Sequence, residues 1–194
     1  MGIRTFIAIE IPEILCAEFA QLQEELKKAE ADIKWVEPKN MHLTLKFLGD
    51  TEETKITKIK ESLQKISQKA NSFEINFRGL GAFPNLESPR VLWIGIEKGK
   101  DKLFELATKI EDELKILGFP KEKRQFSAHL TLGRIRSFKN REKLKNTIKE
   151  KVNFKARNKM YLKEIVLFKS QLTPSGPIYT CLAKFNLPST PGVE

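Results

Sequence analysis

Apolar and polar positions alternate with a period of two in some stretches of this 194-residue chain and with a helical period in others. Arg4–Ile11 alternates and stops at Pro12, which predicts a strand. Glu13–Ala31 carries Ile14, Leu15, Phe19, Leu22 and Leu26 near helical spacing. Met41–Leu48 reads as a strand closed by Gly49-Asp50. Thr51–Ala70 sets Ile56, Ile59, Leu63 and Ile66 on one helical face, with Lys and Glu elsewhere. Phe73–Phe83 and Arg90–Ile96 read as strands joined by the turn-rich segment 84–89. Asp101–Leu117 predicts a helix with Asp101 as N-cap and Gly118 as its stop. Ser127–Ile135 is a further strand and Lys139–Glu150 a short basic helix. Tyr161–Phe168 and Ile178–Phe185 are late strands around the turn 173–177, and the tail after Leu187 is expected to be loose.

The neighbouring strands 73–83 and 90–96 have no helix between them, so antiparallel or mixed sheets fit better than a doubly wound parallel sheet. Strand-helix-strand occurs twice and no long linker divides the chain. The expected fold is α+β, one domain over residues 1–194 built from two similar lobes.

Composition narrows the function classes. Hydrophobic residues make up 40% and charged residues 31%, as in a soluble globular protein rather than a disordered chain. The net charge of +10 favours a polyanionic partner such as nucleic acid or anionic lipid; a solvated, lysine-rich surface is the alternative. Two cysteines, Cys16 and Cys181, are too few for a disulfide framework and lack metal-ligand or redox spacing. The short apolar run near the N-terminus is broken by Glu10, and no stretch approaches a membrane span, so cytoplasm is the expected location.

Both histidines of the chain occur in one repeated tetrapeptide, His42-Leu43-Thr44-Leu45 and His129-Leu130-Thr131-Leu132. Imidazole titrates near neutrality, so the pair can act as a matched acid and base. Strand alternation puts His42, Thr44 and Lys46 on one face and Leu43, Leu45 and Phe47 on the other, toward the core. In the second copy His129 and Thr131 share a face. Each imidazole then has a hydroxyl about 6–7 Å away along the strand. Two such strands facing each other would surround a phosphate with proton carriers and hydroxyl donors. A zinc site is the weaker alternative, because two histidines fall short of the usual three ligands. No Walker A or complete dinucleotide fingerprint is present.

These residues make the chain resemble the two-histidine phosphoesterases, in particular the bacterial and archaeal RNA 2′,3′-cyclic phosphodiesterases, also called 2′-5′ RNA ligases. The resemblance spans nearly the whole chain. It runs through Arg4-Thr5-Phe6-Ile7-Ala8-Ile9, Trp35 to Met41 leading into the first motif, Gly79 to Pro84, Arg90-Val91-Leu92-Trp93, and Phe126 to Arg134 around the second motif.

The resemblance implies a bilobal, pseudo-twofold fold with a central cleft and helices outside. It implies opening of a 2′,3′-cyclic phosphate at an RNA 3′ end to a 2′-phosphomonoester, with His42 as proton donor and His129 as acceptor. Some members also join tRNA halves through a 2′-5′ linkage without ATP. No metal or organic cofactor is expected, the partner is RNA with a cyclic end, and a monomer is expected. Thr44 and Thr131 would hold the phosphate. Arg134 matches a phosphate-binding position, although alternation points it away from His129 unless a bulge near Gly133 restores it. Phe6 and Phe126 are candidates to stack a base, with core packing as the alternative. The rival class is a non-catalytic basic RNA-binding module, and a phosphodiesterase of another linkage is a third reading.

Overall fold

A computed structural model describes residues 2–174 and 176–189. Its strands are β1 (Gly2–Glu10), β2 (Ile33–Trp35), β3 (His42–Glu52), β4 (Phe73–Phe83), β5 (Val91–Lys98), β6 (His129–Ile135), β7 (Met160–Leu162), β8 (Glu164–Thr173) and β9 (Gly176–Asn186). Its helices are α1 (Glu13–Lys27), α2 (Glu53–Gln68), α3 (Lys100–Ile116) and α4 (Arg141–Glu150). One sheet has the order β3-β1-β8-β9 and the other β2-β6-β5-β4-β7. All recorded strand pairs are antiparallel. The fold is α+β, as the alternation of periods implied.

The apolar stripes bury as expected. Leu15, Phe19, Leu22 and Leu26 of α1, Ile59, Leu63 and Ile66 of α2, and Leu103, Leu106, Ile110 and Leu114 of α3 join the inner faces of both sheets in one continuous core. The helices are exchanged between the halves. α3 follows β5 yet packs on β3 and α2, while α1 follows β1 yet meets the second sheet, Phe19 lying edge-on to Phe77 at 5.0 Å.

Several boundaries differ from the sequence reading, each for a local reason. Residues 51–52 extend β3, so α2 begins at Glu53. Asp101 is inside α3; its N-cap is Gly99, whose φ of 88° suits a residue without Cβ. α4 starts at Arg141 rather than Lys139, and β6 at His129 rather than Ser127. The segment 161–168 is two strands, because Met160–Leu162 pairs with β4 and Glu164–Thr173 with β1 and β9. β2, only three residues long, lacks a readable period. Ile14 is 60% exposed although it shares the helical spacing of its neighbours. Ser175 of the predicted turn and residues 190–194 of the predicted tail lie outside the described residues.

Buried Glu18 of α1 holds the loop before β7. Its carboxylate accepts from the Arg157 amide (2.6 Å), the Asn158 amide (3.3 Å) and Asn158 Nδ2 (3.0 Å). Glu18→Ala is expected to cost about 2 kcal/mol, the scale of losing hydrogen bonds to a charged acceptor. A lowered urea midpoint at unchanged m would show it.

Candidate active site

β3 and β6, the two histidine strands, come from different sheets and contact each other. Each motif begins its strand, and each is anchored identically. His42 Nδ1 donates to the Asn40 carbonyl at 2.7 Å and His129 Nδ1 to the Ser127 carbonyl at 2.6 Å. A carbonyl can only accept, so Nδ1 carries the hydrogen in both rings and Nε2 is the nitrogen left to exchange protons. Each ring also has an edge-on aromatic neighbour, Tyr179 for His42 (5.3 Å, 89°) and Phe83 for His129 (4.9 Å, 87°).

The same irregularity occurs in both strands. Leu45 is an extra residue between the pairs Ile7–Lys46 and Ala8–Thr44, and Leu132 is an extra residue between Leu92–Gly133 and Trp93–Thr131. A bulge reverses the alternation beyond it. Arg134 therefore returns to the face of His129 and Thr131, as the bulge near Gly133 required. Its charge reaches both imidazoles and the Tyr179 hydroxyl.

In β3 the same bulge overturns an expectation. Lys46 points inward, 2% exposed, and Phe47 points to the cleft face, 53% exposed. Lys46 Nζ donates to Glu111 Oε1 at 2.6 Å and to the Pro120 carbonyl at 2.8 Å. In β6 the bulge is met from α1: Gln23 Nε2 donates to the Leu132 carbonyl at 2.9 Å.

Thr44 and Thr131 are half-buried beside their histidines, and their hydroxyls take no hydrogen bond among the described residues. Phe6 cannot stack a base. It is 2% exposed and forms a floor between His42 (5.0 Å), Phe168 (5.1 Å) and Tyr179 (4.9 Å). Its reach to His42 passes over the small Ala8, the partner of Thr44. Phe126 is half-buried against the main core, three residues before His129.

Three neighbours escaped the sequence reading. Tyr179 reaches His42 from β9, although β9 is two strands away from β1 in the sheet. Arg4, one alternation before Phe6, acts on the Tyr179 hydroxyl; strand parity alone could have placed it there. Trp93, the partner of Thr131, lies over Gly81, where a Cβ would sit 2.4 Å from the indole. Only a glycine allows that ring to lie flat against β4, and the buried indole Nε1 has no hydrogen-bond partner among the described residues.

Electrostatics favours neutral imidazoles. Burial lowers the pKa of His42 most, partly offset by the Asn40 carbonyl, and the charges of Arg134 and His129 lower it further. Burial likewise lowers His129, with the Ser127 carbonyl opposing and Arg134 adding. The charge of a protonated His129 disfavours a proton on His42, which favours a pair holding a single proton. That singly protonated state is what acid–base catalysis needs. Among the described residues no group of three or more His, Cys, Asp or Glu could hold a metal ion, and no helix is long and apolar enough to cross a membrane.

Known proteins match this arrangement. The chain is 38% identical over 187 residues to the RNA 2′,3′-cyclic phosphodiesterase of Methanothermobacter thermautotrophicus, covering 96% of this chain and 100% of that one. It is 40% identical over 182 residues to the protein of the same name from Methanocaldococcus jannaschii, covering 94% and 99%. Among solved structures, E. coli LigT complexed with 3′-AMP superposes with a TM-score of 0.78 at 25% identity, covering 96% of this chain and 99% of that one. Residues 9–93 and 94–179 each match the same family, one match for each histidine motif. The paired His-Leu-Thr-Leu strands, bulged at equivalent leucines, thus belong to a member of the LigT-like phosphoesterase family.

Proposed function

We infer that the cleft hydrolyses the 2′,3′-cyclic phosphate at RNA 3′ ends to a 2′-phosphomonoester. The observation that carries this is the pair of identically anchored imidazoles, each with Nε2 free and a threonine hydroxyl alongside. The names of the relatives supply the substrate class.

The assignment of roles is the one the family resemblance implies. Water attacks phosphorus in line, opposite the 3′ oxygen. His129 Nε2 takes the water proton as the new P–O bond forms, and His42 Nε2 gives its proton to the 3′ oxygen as the old bond breaks. Thr44 and Thr131 donate to the non-bridging oxygens, and the Arg134 guanidinium balances their charge. His42 holds its proton against desolvation and against Arg134, so the negative phosphate itself stabilises the imidazolium. Phe126, half-buried three residues before His129, stacks the terminal base in this reading. With an RNA 5′-hydroxyl in place of water as the nucleophile, the same ring opening joins two RNAs, such as tRNA halves, through a 2′-5′ bond, the 3′ oxygen leaving as a hydroxyl and no ATP being consumed.

The test is product analysis by phosphorus NMR with a 2′,3′-cyclic nucleotide, over a range of pH. The 2′-phosphate should accumulate, with a bell-shaped rate profile whose acid limb lies below the ordinary histidine value of about 6.5. The limb falls on that side because both shifts oppose the cation. Absence of hydrolysis, or a 3′-phosphate product, would overturn the reading. A protein that binds RNA salt-dependently without turnover would be the non-catalytic module instead.

A further inference from the structure

The two half-sites are alike up to the bulge and then diverge in charge. Beyond Leu45, β3 continues inward with Lys46 and then with Phe47, Leu48, Gly49, Asp50, Thr51, Glu52 and Glu53. Beyond Leu132, β6 and its extension read Gly133, Arg134, Ile135, Arg136, Ser137, Phe138 and Lys139. Position for position, Phe47 stands where the other lobe has Arg134, Gly49 where it has Arg136 and Glu52 where it has Lys139.

Three of the cations, Arg134, Arg136 and Lys34, share the cleft side. The bulge brings Arg134 to the face of His129, and Arg136 follows by alternation. Lys34 of β2 is the cross-strand partner of Arg134 and so lies on the same face. Lys34, Arg134, Arg136 and Lys139 are exposed and take no ion pair among the described residues. On the first lobe, by contrast, Lys184 is engaged by Glu10 and Glu164. Asp32, whose carbonyl accepts the Arg136 amide, brings one carboxylate to the row.

The row ends in an aromatic plate. Phe138 is 74% exposed, and the Arg141 guanidinium lies 5.6 Å from its ring centroid. Arg141 Nε is buried without a hydrogen-bond partner among the described residues. Both residues line a small cavity with Pro89, Ile135 and Leu144.

We propose that a single-stranded RNA lies along this row, with Lys34, Arg136 and Lys139 taking backbone phosphates and Phe138 stacking a base. The inference rests on the reading of the cleft as a cyclic-end site. A 2′,3′-cyclic phosphate is a chain terminus, so all the remaining RNA leaves from one side of it. The cationic row along β6 offers an exit from the pseudo-symmetric cleft, and the strand 5′ of the terminal nucleotide takes it. β6 alone spans about 20 Å at the rise of a strand, room for more than the terminal nucleotide. Free phosphate-reaching cations plus an exposed ring are what sequence-tolerant single-strand binding uses.

The experiment compares two substrates and one binding probe. The variants are Lys34→Ala/Arg136→Ala/Lys139→Ala and, separately, Phe138→Ala. For a 2′,3′-cyclic mononucleotide, kcat and KM should match the unsubstituted protein, which also shows that the cleft is folded. For an oligoribonucleotide ending in a cyclic phosphate, KM should rise about tenfold or more in the triple variant. Binding of a fluorescent oligoribonucleotide ending in a 3′-phosphate needs no turnover. Its logarithmic salt slope should fall by about 2, near 0.7 per lost phosphate contact, and Phe138→Ala should weaken it about fivefold. Unchanged oligonucleotide binding in both variants would overturn the track even if the cyclic nucleotide is hydrolysed. Loss of binding in the variants of a protein that hydrolyses neither substrate would uphold the track and reject the cyclic-end reading.

Discussion

His42→Ala and His129→Ala are each expected to lower kcat/KM for a 2′,3′-cyclic nucleotide by about 10²–10⁴-fold, the usual contribution of a positioned proton carrier. The two losses should not multiply. Each ring does half of one coupled transfer, so the double variant should fall little below the worse single one. Both rings line the cleft face, whereas the large core lies on the other side of β3 and β6, so urea midpoints should shift little. Either single variant keeping a rate within tenfold of the unsubstituted protein would remove the acid–base scheme. The anchoring geometry adds a second check. Because Nδ1 is tied to Asn40 and Ser127, glutamine, which reaches toward the Nε2 position, should not restore proton transfer.

Lys46→Met is expected to destabilise the fold by about 3 kcal/mol, at the low end for breaking a buried ion pair. The Lys46 side chain is 1% exposed and that of Glu111 14%. Removing the ammonium leaves the Glu111 carboxylate with the Glu122 amide alone, at 3.0 Å, and frees the Pro120 carbonyl. Lys46→Met/Glu111→Leu should recover most of the loss, because no unpaired charge remains inside. Urea unfolding of the four proteins of this cycle measures the coupling directly. An additive double variant would mean that the pair does not hold β3 to α3. The cycle also reports on the cleft, since Lys46 sits between Thr44 and Phe47: cyclic-nucleotide turnover should fall in the single variant and return in the double one.

The exchange of Lys46 and Phe47 shows where a sequence stops being readable. Alternation is a local rule and placed His42, Thr44, Leu43 and Leu45 correctly. It failed one residue later, because a bulge depends on what the neighbouring strand and α3 offer, and α3 lies more than fifty residues away. The same rule objected to Arg134, and the same kind of bulge answered the objection, its carbonyl taken up by Gln23 of α1. Phe6 illustrates the opposite case. It lies on the cleft face, as alternation allows, yet Phe168, Tyr179 and His42 close over it, so its part is to support the imidazole rather than to meet a base.

By itself the sequence determined the alternation of strands and helices, the apolar stripes that make the core, and the duplicated tetrapeptide that names the chemistry. These follow from side-chain periodicity and residue type, which are properties of short segments. Tertiary structure decided that the two motifs meet, that Nδ1 of each ring is tied to a carbonyl so that Nε2 is the nitrogen left over, and that Tyr179 and Trp93 join them. It also decided that the two halves differ beyond their bulges, one ending in aromatic and acidic residues and the other in a cationic row. Those outcomes depend on contacts between distant segments, and a pattern read along the chain carries no information about which distant residues will pack together.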